Sequence, residues 1–419
     1  MSTSNSSNVL RTVYLSVLAQ HIKSNGLGWA LKKIILRVLK ELAWVFMLPL
    51  AICLHILGIR NLLIRVEHIG HLAAEFDAHV KAKELGLLPA GHRLYFVVAP
   101  AKRVSNNHLL NYWKSKFLII TNSFACEVLS LLSRRYFMRY DVSHYISSFF
   151  GTQEIYRINQ LWQDRPPILT LSDEDEKWSM SILEQLGINK NQWYVCLHVR
   201  EGGYLPHNEL IQSHRNASIQ NMRLAIDEIV KRGGVVVRMG DASMTPLPKM
   251  PGVIDYAHHP LKSERLDIVL CAKAKFFLGC TSGLSFVSMV FGVPVAQANM
   301  IPVEALGVCK RDLSIPKLLW SDSEKRYLNF TEILSSPIGG FYFTHQYKEA
   351  GLHPVENSPE DILAMTIEML NRLDGKFVLD SDEEELHSRY LALFKPGHYS
   401  YGATSRVCAA FLRNNKYLL

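Results

Sequence analysis

Residues able to bind an anion follow three strands that the hydrophobic pattern predicts in the C-terminal half of the chain. The first predicted strand ends with His198 and Arg200, which lie two residues apart and therefore on one face. After the second and third predicted strands come Arg238, Gly240, Asp241, Thr281, Ser282 and Gly283. The carboxyl ends of strands are where open α/β sheets bind their ligands.

Two arginines and a predicted helix start would therefore surround one rim. The guanidinium groups of Arg200 and Arg238 match phosphate oxygens in a bidentate way. Thr281 or Ser282 would cap a helix over residues 284–291, whose free N–H groups favour an anion. This combination predicts a diphosphate-binding pocket.

Each of these residues also has a structural interpretation. His198 would be a hydrogen-bonded core histidine, and residues 281–283 an ordinary strand-to-helix turn. The alternative partners are Glu201 or another acid for Arg200, and Asp241 or Asp255 for Arg238.

A candidate general base lies in the N-terminal half. His71 stands between a predicted strand, Leu62–Val66, and a predicted helix over residues 72–85. Histidine titrates near neutral pH and can take a proton from a hydroxyl group. Glu75, one helical turn further on, could orient the ring. In the alternative interpretation, His68 and His71 are surface histidines.

Alternating strand and helix patterns position these residues and indicate an α/β protein with parallel sheets. We predict two Rossmann-like domains, residues 61–170 and 171–376, facing each other across a cleft. A helical segment, residues 1–60, precedes them, and a helical tail, residues 377–419, follows. A helix is predicted over Glu127–Tyr140, and the acidic run Asp173–Glu176 is predicted to be the solvated first turn of another.

Composition limits the class of partner. The 419 residues are 48% hydrophobic and 20% charged, which is typical of a globular protein. A net charge of +8 favours an anionic partner, but no nucleic-acid-binding motif is present, so we expect none. The seven cysteines include no CxxC pair, which predicts reduced, buried thiols rather than a disulfide frame or zinc site.

An uncharged run of eighteen residues, Leu42–Ile59, contains Pro49 and His55 and is just long enough to span a bilayer. Spanning would place the rest of the chain outside the cytoplasm, which conflicts with its thiols. An interfacial or re-entrant anchor at the cytoplasmic face of the plasma membrane is consistent with both. A buried helix hairpin in a soluble protein remains the alternative.

The order of the motifs resembles that of bacterial GT-B-fold glycosyltransferases of cell-surface polysaccharide synthesis, and above all an uncharacterised family of them. The resemblance runs from about residue 62 to the C-terminus. It is carried by residues 69–73, 198–201, 215–216, 238–241, 281–284 and 356–359.

Two wider similarities concern single motifs. His198 and Arg200 are similar to the His-x-Arg strand of fucosyltransferases, whose arginine grips the donor diphosphate. Gly70 and His71 fall where heptosyltransferases carry a Gly-Asp pair whose acid is the catalytic base. The chain has histidine in place of that acid.

The resemblance implies transfer of a sugar from a nucleotide-activated donor to a hydroxyl of a lipid-linked or envelope glycan. The C-terminal domain would bind the donor without a metal or other cofactor, and the N-terminal domain would bind the acceptor. His71 would be the base, and Asn299 and Glu356 would add donor contacts. Two alternatives stay open: another sugar-nucleotide enzyme, such as an epimerase or pyruvyl transferase, and a non-catalytic membrane scaffold for polysaccharide assembly.

Overall fold

The computed structural model describes residues 3–132, 138–141, 154–203 and 206–419. The chain divides into two compact units, each assembled from separate segments. The first comprises Met1–Leu62, Gly91–Pro100 and Ile119–Tyr140, and the second comprises Leu63–Ala90, Ala101–Leu118 and Asp141–Leu419. The boundaries predicted at residues 60, 170 and 376 remain predictions.

Helix α1, Thr3–Ile56, belongs to the first unit and is interrupted at Gly26, which has a positive φ of 80°. Its C-terminal part packs against α4, Ser123–Leu132, through a small core that includes Ala51 and Leu132. Among the described residues, no helix is both long enough and apolar enough to cross a membrane.

A four-stranded sheet has the spatial order β3–β2–β1–β4. Its strands are β1 (Ile59–Leu63), β2 (Leu94–Val98), β3 (Leu118–Ile120) and β4 (Arg139–Asp141). Strand β1 starts three residues before the predicted strand because α1 ends at Ile56, just ahead of Gly58. The helix predicted over Glu127–Tyr140 is wrong at its end, where β4 lies, and residues 133–137 of it lie outside the described residues.

The second unit is built on a seven-stranded sheet in which every neighbouring pair is parallel. In spatial order its strands are β14 (Arg406–Val407), β10 (Leu313–Pro316), β9 (Val295–Met300), β8 (Phe277–Gly279), β5 (Tyr194–His198), β6 (Val235–Arg238) and β7 (Val253–Ile254). Strands β6, β8 and β10 are buried along their whole length. Such continuous burial is typical of parallel sheets covered on both faces, and the predicted α/β class is confirmed.

The other helices of the second unit are α2 (Ile69–Glu84), α3 (Asn107–Lys114), α5 (Glu154–Trp162), α6 (Asp173–Gln185), α7 (Pro206–Gln212), α8 (Arg223–Lys231), α9 (Glu264–Lys273), α10 (Ser285–Val290), α11 (Phe330–Leu334), α12 (Thr344–Glu349), α13 (Pro359–Leu373), α14 (Ser381–Ala392) and α15 (Ala409–Asn414). A small antiparallel sheet pairs β11 (Leu318–Ser321) with β12 (Arg326–Tyr327) and β13 (Leu352–Val355). The tail predicted to be helical does contain α14 and α15, but it also supplies the edge strand β14.

The prediction that the acidic run at the start of α6 is solvated is wrong for one of its residues. Asp175 is buried, and its carboxylate accepts hydrogen bonds from Arg265 Nε at 2.7 Å, from His108 and from the Tyr112 hydroxyl. Burial alone would raise the pKa of Asp175, but these hydrogen bonds hold it below its usual value. Asp175 thus connects α6 with α3 and α9.

Candidate functional site

The three strand ends singled out in the sequence meet at one edge of the parallel sheet. Strand β5 lies between β6 and β8, with Leu197 paired to Arg238 and His198 to Gly279. The loops after these strands therefore leave the sheet side by side. The prediction that the strand ends share one edge is confirmed.

A cavity of about 610 Å³ lies at this edge, within the second unit. Its walls combine the three strand-end loops with the start of α2 and the segment that follows β5. The predicted site residues that line it are His71, His198, Arg200, Gly240, Asp241, Thr281, Ser282 and Gly283. The structure thus brings the candidate base and most of the candidate donor-binding residues to one cavity.

Arg238 does not line this cavity, which corrects its expected role in diphosphate binding. Its side chain is fully buried, and its guanidinium donates to Asp255 Oδ1 at 2.9 Å and to Glu201 Oε1 at 2.8 Å. A third hydrogen bond reaches the Thr245 carbonyl oxygen. Arg238 is therefore an internal ion-pair centre, and its pairing with Asp255 was the structural alternative.

Two further expected donor contacts, Asn299 and Glu356, also lie outside the cavity lining. Asn299 is buried and exchanges hydrogen bonds with Asn357, each amide oxygen accepting from the other residue's backbone N–H. Glu356 accepts from the backbone N–H of Ser218 and from the Asn221 amide. Both side chains make hydrogen bonds within the fold, and the structure does not place either of them at the cavity.

The expected helix-start anion site is likewise corrected. Helix α10 has six residues, begins at Ser285 and has no side-chain cap. The Thr281 hydroxyl instead accepts from Gln297 Nε2 and from the Ile301 backbone N–H, at 2.9 and 3.2 Å. A helix of one and a half turns offers little macrodipole, so we assign no phosphate site to it.

Arg200 and Arg215 form the cationic part of the cavity. Gln212 holds both: its backbone oxygen accepts from Arg200 Nη1 at 2.5 Å, and its side-chain oxygen accepts from Arg215 Nη1 at 2.9 Å. Arg215 Nη2 also donates to the Thr281 carbonyl oxygen at 2.8 Å. Within the described part of the chain, neither guanidinium has a carboxylate within the 4.0 Å of an ion pair.

The charge of Arg215 acts on Arg200. Burial lowers the pKa of Arg200, and the neighbouring positive charge of Arg215 lowers it further. Arg65 also lies in the cavity lining. Positive charges held together without carboxylate partners are relieved by an anion, so this part of the cavity favours an anionic ligand.

The candidate base and its partner are in direct contact. His71 Nδ1 lies 2.7 Å from Glu75 Oε1, and Glu75 Oε2 accepts from the Arg65 backbone N–H at 3.0 Å. Glu75 is fully buried, whereas the His71 side chain is 23% exposed in the cavity lining. When Nδ1–H donates to the carboxylate, the lone pair is on Nε2. The arrangement expected from the four-residue spacing is present.

Two other histidines in the cavity lining are neutral at pH 7. Burial and nearby cationic side chains lower the pKa of His198 to about 4 and that of His214 to about 3. His214 Nδ1 lies 3.0 Å from the Thr344 hydroxyl, and its ring lies beside the Tyr347 ring, tilted by 37° with 5.1 Å between the centroids. Neither histidine carries a charge that would compete with the arginines for an anion.

Several polar atoms of the cavity-lining residues are buried without a hydrogen-bond partner in the described structure. They are His198 Nδ1, His214 Nε2, Arg215 Nε and Ser282 Oγ. Buried polar atoms are nearly always hydrogen-bonded in folded proteins. The lining of this cavity therefore contains polar atoms whose hydrogen bonds the described residues do not supply.

The sequence reasoning missed Arg215 and Gln212 as site residues. Arg215 belongs to the 3-10 turn Ser213–Arg215 and Gln212 ends α7, so neither follows a predicted strand end. The one available signal was that Arg215 recurs in the family pattern. Gly240, in contrast, is explained by its backbone: its φ is 146°, and a Cβ there would lie 1.9 Å from Met244 Sδ.

The described residues contain no group of three or more His, Cys, Asp or Glu side chains placed to hold a metal ion. All seven cysteines are free thiols. Five of them are buried: Cys126, Cys196, Cys271, Cys280 and Cys408.

No protein-family model and no curated protein sequence matches the chain. Among solved structures, it is similar to a family 9 glycosyl transferase from Veillonella parvula, with 11% identity, a TM-score of 0.42, and coverage of 75% of this chain and 97% of that one. It is also similar to the E. coli ADP-heptose lps heptosyltransferase II, with 11% identity, a TM-score of 0.40, and coverage of 75% and 99%. The chain is similar as well to the E. coli heptosyltransferase WaaC with ADP, with 13% identity, a TM-score of 0.29, and coverage of 62% of this chain and 91% of that one. Because these TM-scores are low, a functional assignment has to rest on the residues of the cavity.

Proposed function

We propose that the protein is a glycosyltransferase of GT-B type that moves a sugar from a nucleoside-diphosphate donor to a hydroxyl group. One observation supports this most directly. The cavity at the sheet edge is lined by Arg200 and Arg215, which have no carboxylate partner among the described residues, and by His71, which contacts the buried Glu75. It thus combines a site for a diphosphate with a candidate base.

In this proposal the arginines bind the donor diphosphate. Their fixed positions, set by Gln212 and the Thr281 carbonyl oxygen, suit the oxygens of a leaving group that gains charge during the reaction. Ser282 Oγ and Arg215 Nε offer additional hydrogen bonds. Electrostatic stabilisation by preorganised donors would replace a bound metal ion here, so we propose metal-independent transfer.

A base at His71 would serve an enzyme that inverts, so the step we propose is an inverting displacement at the anomeric carbon. The acceptor oxygen attacks this carbon, and the bond to the diphosphate oxygen breaks, so that its electron pair leaves with the diphosphate. Neutral His71 takes the acceptor proton on Nε2, and the resulting imidazolium is stabilised by Glu75. We propose as acceptor a hydroxyl of a lipid-linked or other envelope glycan at the cytoplasmic face of the plasma membrane.

The test is a panel of nucleotide sugars and free nucleotides, read out by thermal shift and by transfer or slow donor hydrolysis, with and without EDTA. A ligand at a hundred times its Kd adds about 2.7 kcal/mol of stability. We expect one nucleotide family to stabilise the protein, and Arg200→Ala to abolish binding and transfer while the melting temperature stays near that of the wild type. Near-normal transfer by Arg200→Ala would refute the pocket assignment.

A control variant shows whether Arg200→Ala acts through the contacts of Arg200 or only through the loss of one positive charge. Arg223→Ala removes an exposed arginine that pairs with Asp227 on α8, remote from the cavity lining. This variant should bind donor and transfer sugar like the wild type. If the folded protein binds a nucleotide sugar but never turns it over, the non-catalytic alternative replaces this proposal.

A further inference from the structure

The C-terminal half of α1 has two apolar faces, and only one of them is covered. Met47, Ala51 and Leu54, spaced by four and three residues, pack against the core that includes Leu132 of α4. The opposite face is exposed over residues 31–56. Its members are Leu31, Ile34, Ile35, Val38, Leu39, Leu42, Val45, Phe46, Pro49, Leu50, Cys53 and Ile56.

We call these twelve side chains the α1 stripe. Their spacing follows the 3.6-residue period of a helix, so they form one continuous face. Over 26 residues this face is about 39 Å long. Phe46 is 85% and Ile56 76% exposed. An apolar face of this size on a folded protein marks a contact with a membrane or with another protein.

The charges beside the stripe are all positive over its first part. Residues 26–40 include Lys32, Lys33, Arg37 and Lys40 and no acidic residue. Lys33, Arg37 and Lys40 are spaced by four and three residues and lie opposite the stripe, as on a helix that rests on an anionic surface. Lys40 pairs with Glu127 of α4, and Lys33 Nζ lies 5.6 Å from the centroid of the Trp29 ring. Within the described part of the chain, Lys32 and Arg37 form no ion pair.

We propose that the α1 stripe inserts into the surface of a bilayer that contains anionic lipids, with α1 lying in the membrane plane. The packing on α4 argues against a spanning orientation, because α4 would then have to enter the hydrocarbon core together with the covered face. The cations lie within a Debye length, about 10 Å, of the headgroups and add electrostatic attraction. The proposed membrane contact thus begins at residue 31, ahead of the uncharged run 42–59. It is independent of the proposed activity.

The test uses the full chain and sedimentation with vesicles of phosphatidylcholine alone or mixed with phosphatidylglycerol. We expect binding to the mixed vesicles that high salt weakens. The triple variant Lys32→Gln, Lys33→Gln and Arg37→Gln should bind them on the order of 100-fold more weakly, from about 1 kcal/mol per cation. The affinity of the double variant Leu42→Gln and Phe46→Gln for the mixed vesicles should be at least about tenfold lower than that of the wild type. Val378→Gln, at an 87% exposed position outside α1, should change nothing.

Cys53 reports orientation, because it is the exposed cysteine and lies within the stripe. A polarity-sensitive fluorophore on Cys53 should shift to the blue on mixed vesicles and be quenched by lipids brominated near the headgroup. Quenching only by lipids brominated deep in the acyl chains, with resistance to alkaline extraction, would overturn the in-plane orientation. Vesicle binding that is absent, or unchanged in both α1 variants, would overturn the proposal. So would a lipid-free dimer, seen by analytical ultracentrifugation, that the double variant dissociates.

Discussion

Gly70 and Gly283 are in backbone contact at the cavity. A Cβ atom on Gly70 would lie 2.6 Å from the Cα of Gly283, and one on Gly283 would lie 3.0 Å from the Gly70 nitrogen. Gly70 is the second residue of α2, and Gly283 is two residues ahead of α10, which packs on α2. This contact fixes the position of His71 relative to the Thr281–Gly283 loop.

Gly70→Ala should therefore damage both stability and activity. The new methyl group has backbone as its neighbour, so α2 has to shift, which we expect to cost about 1–3 kcal/mol. Urea unfolding measures the loss, and transfer should fall because His71 moves with α2. Gly28→Ala is the control, since no atom lies within 4 Å of its added Cβ. Wild-type stability of Gly70→Ala would show that the two backbones are not in contact.

Arg238→Ala should destabilise the fold. It removes the partner of Glu201 and Asp255 from a fully buried position, and breaking a buried ion pair costs about 3–5 kcal/mol. We expect a large fall in the free energy of unfolding in urea, whereas Arg223→Ala, in an exposed pair, changes it by at most about 1 kcal/mol. If Arg238→Ala is as stable as the wild type and has lost only nucleotide binding, Arg238 binds the diphosphate, as expected from the sequence.

The position of the strands around Arg238 could be predicted from the sequence, but the contacts of its side chain could not. Periodicity located β5, β6 and β8 to within a residue or two, and the rule for parallel sheets then placed their ends together. The sequence could not show which arginine lines the cavity and which pairs with carboxylates inside the protein, because both stand at the end of a buried strand. That choice depends on Asp255, seventeen residues after Arg238 and next to it only in the folded chain.

His71 and Glu75 illustrate the opposite case. Their contact is local, across one helical turn, so the four-residue spacing was enough to predict it. Arg215 could not be predicted in the same way, since it reaches the cavity from a 3-10 turn through its contact with Thr281, sixty-six residues further on.

Glu75→Gln should remove the base without removing the histidine. The amide oxygen can still accept from the Arg65 N–H, but the NH₂ group then donates to His71 Nδ1 and leaves the proton on Nε2. We expect kcat to fall by about 10²–10⁴-fold, with little change in KM for the donor, and the pH–rate profile to lose its acidic limb, which a general base produces because it is inactive when protonated. His68→Gln, whose ring lies 5.7 Å from that of His71, should keep its activity. An unchanged kcat in Glu75→Gln would exclude His71 as the base.

Arg215→Gln should weaken binding of a nucleoside diphosphate by about 10–100-fold, the effect of one charge-assisted hydrogen bond. Isothermal titration with the nucleotide identified in the panel measures this loss. Arg215→Lys should restore little, because one ammonium nitrogen lacks the planar fork whose two Nη atoms reach Gln212 and Thr281 separately and present a flat edge to a phosphate. Equal affinity of the wild type, Arg215→Gln and Arg215→Lys for the nucleotide would show that Arg215 does not bind it.

Glu304 makes stability depend on pH. Its side chain is buried, Oε2 lies 3.9 Å from His398 Nε2, and burial raises the pKa of the carboxyl group to about 7. Because this folded-state pKa exceeds the unfolded value of 4.5, the folded chain keeps a proton that the unfolded chain has lost. The contribution of Glu304 to stability is thus complete below pH 4.5 and is lost as the pH rises to 7, by about 3 kcal/mol in total.

Glu304→Gln removes the titrating group and nearly keeps its shape. Its free energy of unfolding, measured in urea from pH 4.5 to 8, should therefore rise relative to the wild type up to pH 7 and then stay at a constant difference. Glu349→Gln, at an exposed position of α12, should differ from the wild type by the same amount at every pH. A constant difference for Glu304→Gln as well would mean that the Glu304 carboxyl is already ionised in the folded protein, and that His398 or water compensates its burial.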